Sequence, residues 1–154
     1  MDQLGAPMKI VYIDLDDTLC DFKSAFLTAL KMNPAIQYPQ SQYRFFANLE
    51  PIEGAIKAVK DLINSEQYNP YILSAPSIRN PLSYAEKREW VEVHIGYDFC
   101  EKLILCPHKG LLKGDILIDD NIEGKGQDLF EGELIHFGSQ DFPDWASVRN
   151  ALGV

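Results

Sequence analysis

Residues Met8 to Asp14 are apolar almost without alternation, which predicts a central parallel strand covered on both faces. Phe22, Ala25, Phe26, Ala29 and Leu30 then recur at helical spacing and stop at Asn33-Pro34, predicting a helix over 22–32. The stretch 35–50 is rich in Gln, Tyr and Phe without a clean period, and reads as a short, partly helical excursion outside the sheet. After Pro51-Ile52-Glu53-Gly54, the residues Ala55, Ile56, Val59, Leu62 and Ile63 predict an amphipathic helix. Asn69-Pro70 predicts a break before a short strand at 71–73. A long helix follows over 82–94, with Trp90, Val91 and Ile95 inward and Gly96 as its stop. Strands are predicted at 102–106, 115–119 and 133–137, and a closing helix at 145–152. This alternation predicts an α/β fold, a Rossmann-like three-layer sandwich around a five-stranded, mostly parallel sheet. The Gly-bearing links at 111–114 and 123–126 are short and mark no boundary, so residues 1–154 read as one domain.

Open sheets of this kind bind ligands at the carboxyl ends of their strands. Polar residues gather at those predicted ends: Asp14, Asp16 and Asp17, then Ser74, then Lys109, then Asp119 and Asp120. Each has an ordinary explanation. Asp17 or Thr18 suits a helix cap, Ser74 a turn, Asp119-Asp120-Asn121 an Asx turn, and Lys109 a solvated loop. Their recurrence at one sheet edge favours a shared site. Residues alternate faces along a strand, so Asp14 and Asp16 leave the edge on the same side, where two carboxylates repel unless a cation or a donor sits between them. Carboxylates from two strand ends make a hard oxygen cage suited to Mg²⁺. A phosphate there meets the Ser74 hydroxyl and the Lys109 ammonium, with Asp14 in line as a nucleophile and Asp16 as acid/base.

Composition narrows the ligand. A net charge of −9 offers no basic field to a nucleic-acid polymer, and leaves room for a small anionic substrate only where a metal or a few placed lysines offset the acidic surface. Three cysteines without CxxC spacing exclude a zinc framework and suit a reducing cytoplasm. No run approaches the ~18 apolar residues that span a bilayer. Residues 1–7 lack the basic and apolar regions of a signal peptide and read as a disordered lead-in.

Asp14-Leu15-Asp16-Asp17-Thr18 resembles the DxDx[TV] first motif of the haloacid dehalogenase superfamily of phosphatases, with Ser74, Lys109 and Asp119-Asp120 resembling its second, third and fourth motifs in order. Asp21-Phe22, the stretch Phe45-Phe46-Ala47-Asn48-Leu49-Glu50-Pro51, Ser74-Ala75-Pro76, Tyr84-Ala85-Glu86-Lys87 with Trp90-Val91, and His108-Lys109 are similar to the 5′(3′)-deoxyribonucleotidases within it. The resemblance implies a Mg²⁺-dependent phosphomonoesterase acting on (deoxy)ribonucleoside monophosphates through an aspartyl-phosphate. It implies Asp14, Asp16, Ser74 and Lys109 as catalytic residues, and Asp14, the Asp16 carbonyl and Asp119 or, preferentially, Asp120 as metal ligands. It implies substrate contacts from Phe22, Phe46, Ser74, Ala75, Lys87 and Lys109. Both phenylalanines equally suit core packing. Lys87 competes with Lys109 for the phosphate, and Arg79 is a further candidate contact. Residues 20–50 become a small helical cap, only about thirty residues deep. Asp17 and Thr18 stand where the family has Gly and Val, and Ser74 where it has Thr. A phosphatase for another small ester such as a sugar phosphate, and a non-catalytic phosphate-binding module, remain alternatives. A receiver domain does not, because no lone Asp ends a middle strand. A homodimer stays open.

Overall fold

The computed structural model describes residues 5–154. Residues 1–4 of the expected lead-in lie outside the described residues. Five strands form one sheet in the order β3-β2-β1-β4-β5, every neighbouring pair parallel: β1 Lys9–Ile13, β2 Tyr68–Ser74, β3 Leu103–Leu105, β4 Ile116–Asp119 and β5 Glu133–His136. Four α-helices accompany them, α1 Phe22–Met32, α2 Ala55–Asn64, α3 Ser83–His94 and α4 Trp145–Leu152.

Alternation along the strands divides the core in two. Val11, Ile13, Ile72, Ile116, Ile118 and Ile135 face one way, into a large cluster with Ala55, Ala58, Val59 and Leu62 of α2, Trp90 and Val91 of α3, and Trp145, Val148 and Leu152 of α4. Tyr12, Leu73 and Leu117 face the other way, where Phe130 and the partly buried Leu112 and Leu134 cover them. Among the described residues, no α-helix lies on that second face. The chain crosses it in 3-10 turns at Lys109–Leu111 and Gln127–Leu129, so one of the three layers is thin. Gly114 makes this close cover possible, since a Cβ there would meet the Tyr12 ring.

Two expectations change. Pro70 lies inside β2 rather than before it. Lys9 donates to the Gln67 carbonyl, which sets odd-numbered β2 residues toward β1 and turns the Pro70 nitrogen away. β3 pairs only from Ile72 onward, so the missing N–H costs no ladder bond. Ile63 is also not a core residue. It is 41% exposed, and Ala58 takes the inward place on α2.

The excursion between β1 and α2 is anchored by α3. The buried Glu86 carboxylate accepts the backbone N–H groups of Arg44 (3.0 Å), Phe46 (3.0 Å) and Ala47 (3.2 Å). Trp90 adds its indole N–H to the Leu49 carbonyl at 2.7 Å. Asn80 and Ser41 join the loop after β2 to the same segment, through bonds to the Gln40 and Arg79 carbonyls. Unpaired buried amides are costly, so Glu86→Ala should lower stability by about 3 kcal/mol in urea unfolding. Glu86→Gln, which keeps one acceptor oxygen, should lose less. Equal losses would show that volume rather than the carboxylate holds the segment.

Candidate active site

Asp14, the residue after β1, is placed at the C-terminal edge of the sheet by the parallel pairing of β1 with both β2 and β4. Asp119 ends β4 beside it, with Asp120 next in the chain. Carboxylate oxygens of Asp14, Asp119 and Asp120 all lie within 4.8 Å of one another. Between them comes the Lys109 ammonium, 2.7 Å from Asp14 Oδ1 and 2.6 Å from Asp119 Oδ2. Lys109, Asp119 and Asp14 are all buried. They border a cavity of about 230 Å³ with Asp16, Asp17, Phe22, Ala75 and Asn121 along its wall.

Thr18 ties the two sides together. Its hydroxyl lies 3.3 Å from Asp14 Oδ2 and 3.2 Å from Asp120 Oδ1, so its one proton serves either carboxylate, and it accepts the Asp120 N–H at 3.1 Å. The indole N–H of Trp145 holds the Thr18 carbonyl at 2.8 Å. His136, at the end of β5, bonds the Asp120 carbonyl through Nε2 at 2.9 Å. Gln127 donates to Asp119 at 3.3 Å and accepts the Lys125 N–H at 2.7 Å. Neither His136 nor Gln127 was signalled by motif or period. Both lie in irregular or edge segments where only the tertiary path brings them to the carboxylates.

Burial pushes the Asp14 carboxyl well above its usual range. Lys109 pulls it down, but Asp119, Asp120 and Asp16 add to the rise. Asp120 is raised by burial as well, against a lowering hydrogen bond from Asp14. Burial disfavours the Lys109 ammonium, yet the flanking Asp14 and Asp119 outweigh it and keep its pKa above the ordinary lysine value. Three carboxylates against one ammonium leave negative charge uncompensated. The donors are hard oxygens converging on one point, which fits a divalent cation such as Mg²⁺.

The other predicted site residues divide into those at the cavity and those behind it. Asp16 lines the cavity and receives the Lys87 ammonium at 2.9 Å. Ser74 ends β2 and is buried without bordering the cavity, which its neighbour Ala75 does line. Phe22 forms part of the wall. Phe46 is only 3% exposed and packs against Phe22 and Phe45, so its ring offers no free face to a ligand. Arg79 stacks on Tyr38 at 4.1 Å rather than entering the cavity. Asp17 is not the N-cap of α1. Asp21 is, accepting the Ser24 N–H, while Asp17 accepts the Lys23 N–H at 2.9 Å from outside the helix. Asp17 has φ of +60°, a left-handed conformation that suits Gly best and that Asp tolerates better than most. A larger cavity, about 660 Å³, lies elsewhere, between α1 and residues 42–50.

Comparison with known proteins places the chain in a family. A family described as 5′ nucleotidase, deoxy (pyrimidine), cytosolic type C protein matches residues 31–141. A Vibrio phage KVP40 protein named as a candidate 5′(3′)-deoxyribonucleotidase is 42% identical over 147 residues, covering 93% of this chain and 84% of that protein. The human cytosolic-type 5′(3′)-deoxyribonucleotidase is 30% identical over 147 residues, covering 77% and 73%. Among solved structures, the Bacillus subtilis HAD-hydrolase candidate YfnB bound to magnesium superposes with a TM-score of 0.67 at 12% identity, covering 97% of this chain and all of that one. The fold is shared at that distance.

The raised Asp14 pKa sets a sign for stability without divalent cation. A carboxyl whose folded pKa exceeds its unfolded value of about 4 stabilises fully below that value and loses the contribution as pH rises through the folded one. Asp14→Asn, neutral at every pH, avoids the loss. In chelator at pH 8 the variant should melt above wild type by roughly 2–4 °C, on the order of 1 kcal/mol. The excess should vanish as pH falls toward 4, and a difference that grows toward acid pH would contradict the assignment.

Proposed function

The chain belongs to the 5′(3′)-deoxyribonucleotidase family of haloacid dehalogenase-type hydrolases, enzymes acting on phosphoric monoesters, and from there we propose a Mg²⁺-dependent phosphatase for deoxyribonucleoside monophosphates. The observation that carries this reading is the convergence of Asp14, Asp119 and Asp120 on one point with Lys109 between them. Residues 20–50 serve as a small cap over the site. The three free cysteines suit a reducing cytoplasm.

Asp14, the Asp16 carbonyl and Asp120 would hold Mg²⁺, with Asp119 engaged by Lys109 and Gln127. The ion would supply positive charge to the phosphate oxygens and relieve the repulsion among the carboxylates. The Ser74 hydroxyl, the Ala75 N–H and Lys109 hold the phosphate's non-transferring oxygens. Asp14 attacks phosphorus in line as the ester bond breaks, and Asp16 gives its proton to the departing alkoxide. Asp16 then takes a proton from water, whose oxygen displaces Asp14 from phosphorus and releases phosphate. Phe22, in the cavity wall, is the ring available to the sugar or base. The about 230 Å³ cavity and the buried Phe46 leave little aromatic surface for a base, which favours tolerance of different bases and keeps a sugar phosphate as the second reading.

Purified protein with Mg²⁺ should release phosphate from dUMP and dTMP, and chelation should stop it. Asp14→Asn should lower kcat at least about 10³-fold, and Asp16→Asn about 10²- to 10⁴-fold. Turnover of sugar phosphates without nucleotide turnover would transfer the assignment to that class. Mg²⁺ binding with no turnover of any phosphomonoester would leave a binding module.

A further inference from the structure

Lys87 is a large side chain with almost no contact with solvent, at 1% exposure. Its ammonium does not border the acidic cavity. It lies 2.9 Å from Asp16 Oδ2 and 4.8 Å from the centre of the Phe46 ring, which covers it. A substrate phosphate therefore meets Asp16 before it could meet Lys87. The other Asp16 oxygen, Oδ1, lies 3.6 Å from the Cys20 thiol. Lys87 and Cys20 together restrict the carboxylate from behind, while 27% of the Asp16 side chain stays open to the cavity.

The support continues one residue back along α3. Glu86 binds the backbone N–H groups of Arg44, Phe46 and Ala47, and so fixes the ring that lies over Lys87. One turn of α3 therefore holds both the stem of the 22–50 excursion and the carboxylate beneath it. We propose that Lys87 is a positioning residue for Asp16, held in place by Phe46 and Glu86, and not a contact to substrate.

This inference rests on the phosphatase reading above, in which Asp16 gives a proton to the alkoxide as the ester bond breaks and takes one from water in the second displacement. Lys87 neither gains nor loses a proton in either step. Its part is to keep Oδ2 engaged, so that Oδ1, which meets the Cys20 thiol only weakly at 3.6 Å, addresses the leaving oxygen and then the water. An aligned proton donor contributes typically 10²- to 10⁴-fold to rate, and misplacement by about 1 Å can cost 10²-fold.

The test compares wild type, Asp16→Asn, Lys87→Met and the double variant, as full-length protein with Mg²⁺, on dUMP and on p-nitrophenyl phosphate. Lys87→Met should lower kcat on dUMP about 10²-fold while KM stays within about threefold. Residual turnover of p-nitrophenyl phosphate by the double variant should match Asp16→Asn within about threefold, because a residue acting through Asp16 adds nothing once Asp16 is gone. A KM raised about tenfold at unchanged kcat, or a double variant about tenfold below Asp16→Asn, would overturn the proposal and make Lys87 an independent substrate contact. Should Lys87→Met fail to fold with Asp16 left unpaired, the comparison of the double variant with Asp16→Asn decides alone, since neither charge remains in it. A wild type that turns over neither ester removes the phosphatase reading and this inference with it. Wild-type turnover with additive losses removes only the inference.

Discussion

The Lys109 ammonium is the contact on which the acidic edge depends. It sits between Asp14 and Asp119 at 2.7 and 2.6 Å, and both carboxylates are buried. Two buried anions at this separation would each be driven to protonate without a cation. Lys109 neutralises part of that charge, and the remainder is what makes a divalent ion fit. The same arrangement explains why Asp14 stays raised despite its lysine.

Lys109 reaches this place because the second face of the sheet is thin. A 3-10 turn rather than an α-helix follows β3, and the Lys109 N–H bonds the Lys125 carbonyl at 2.6 Å. Gln127 fixes Lys125 and Asp119 together. Gly126, at φ +78°, turns the chain where a Cβ would strike His108. The two crossing loops thus brace one another above Tyr12, Leu117 and Phe130. Cover that is minimal for packing is sufficient here because each loop also satisfies a polar group of the site.

Most of the architecture was legible because its signals are local. The helices at 22–32 and 145–152 have the predicted bounds, since apolar period and stop residues agree there. Pro70 misled because its effect depends on which neighbour its nitrogen faces, and that is set by the late start of β3. The four strand-end motifs could be read because the fold brings all strand ends to one edge. His136, Gln127 and the Lys87–Asp16 pair could not be derived from position in the chain. His136 reaches Asp120 across 16 residues and Lys87 reaches Asp16 across 71, while Gln127 meets Asp119 from an irregular turn eight residues on, and nothing in a helical period says that a lysine will be buried against a carboxylate. Phe46 shows the same limit, because a phenylalanine in an irregular stretch reads alike as a base platform or as core.

The excursion that follows Asp14-Leu15-Asp16-Asp17-Thr18 is held unevenly. Its second half is fixed by Glu86, Trp90 and Asn80 through bonds to backbone groups. Its first half, α1, has no fully buried residue and exposes Leu27 and Met32. The Asp21 cap, the Asp17 bond to the Lys23 N–H, the stacking of Phe22 on Phe26 and its edge-on and tilted contacts with Phe45 and Phe46 secure its start. Asp17 stands at a left-handed position that Gly would fill more easily, yet Gly there would have no side-chain oxygen to accept the Lys23 N–H. The strain is thus exchanged for a fixed helix entry, and Phe22 is the first residue of that helix. The Phe22 ring in the cavity wall is thus positioned within eight residues of Asp14, by the same stretch that carries the acidic edge.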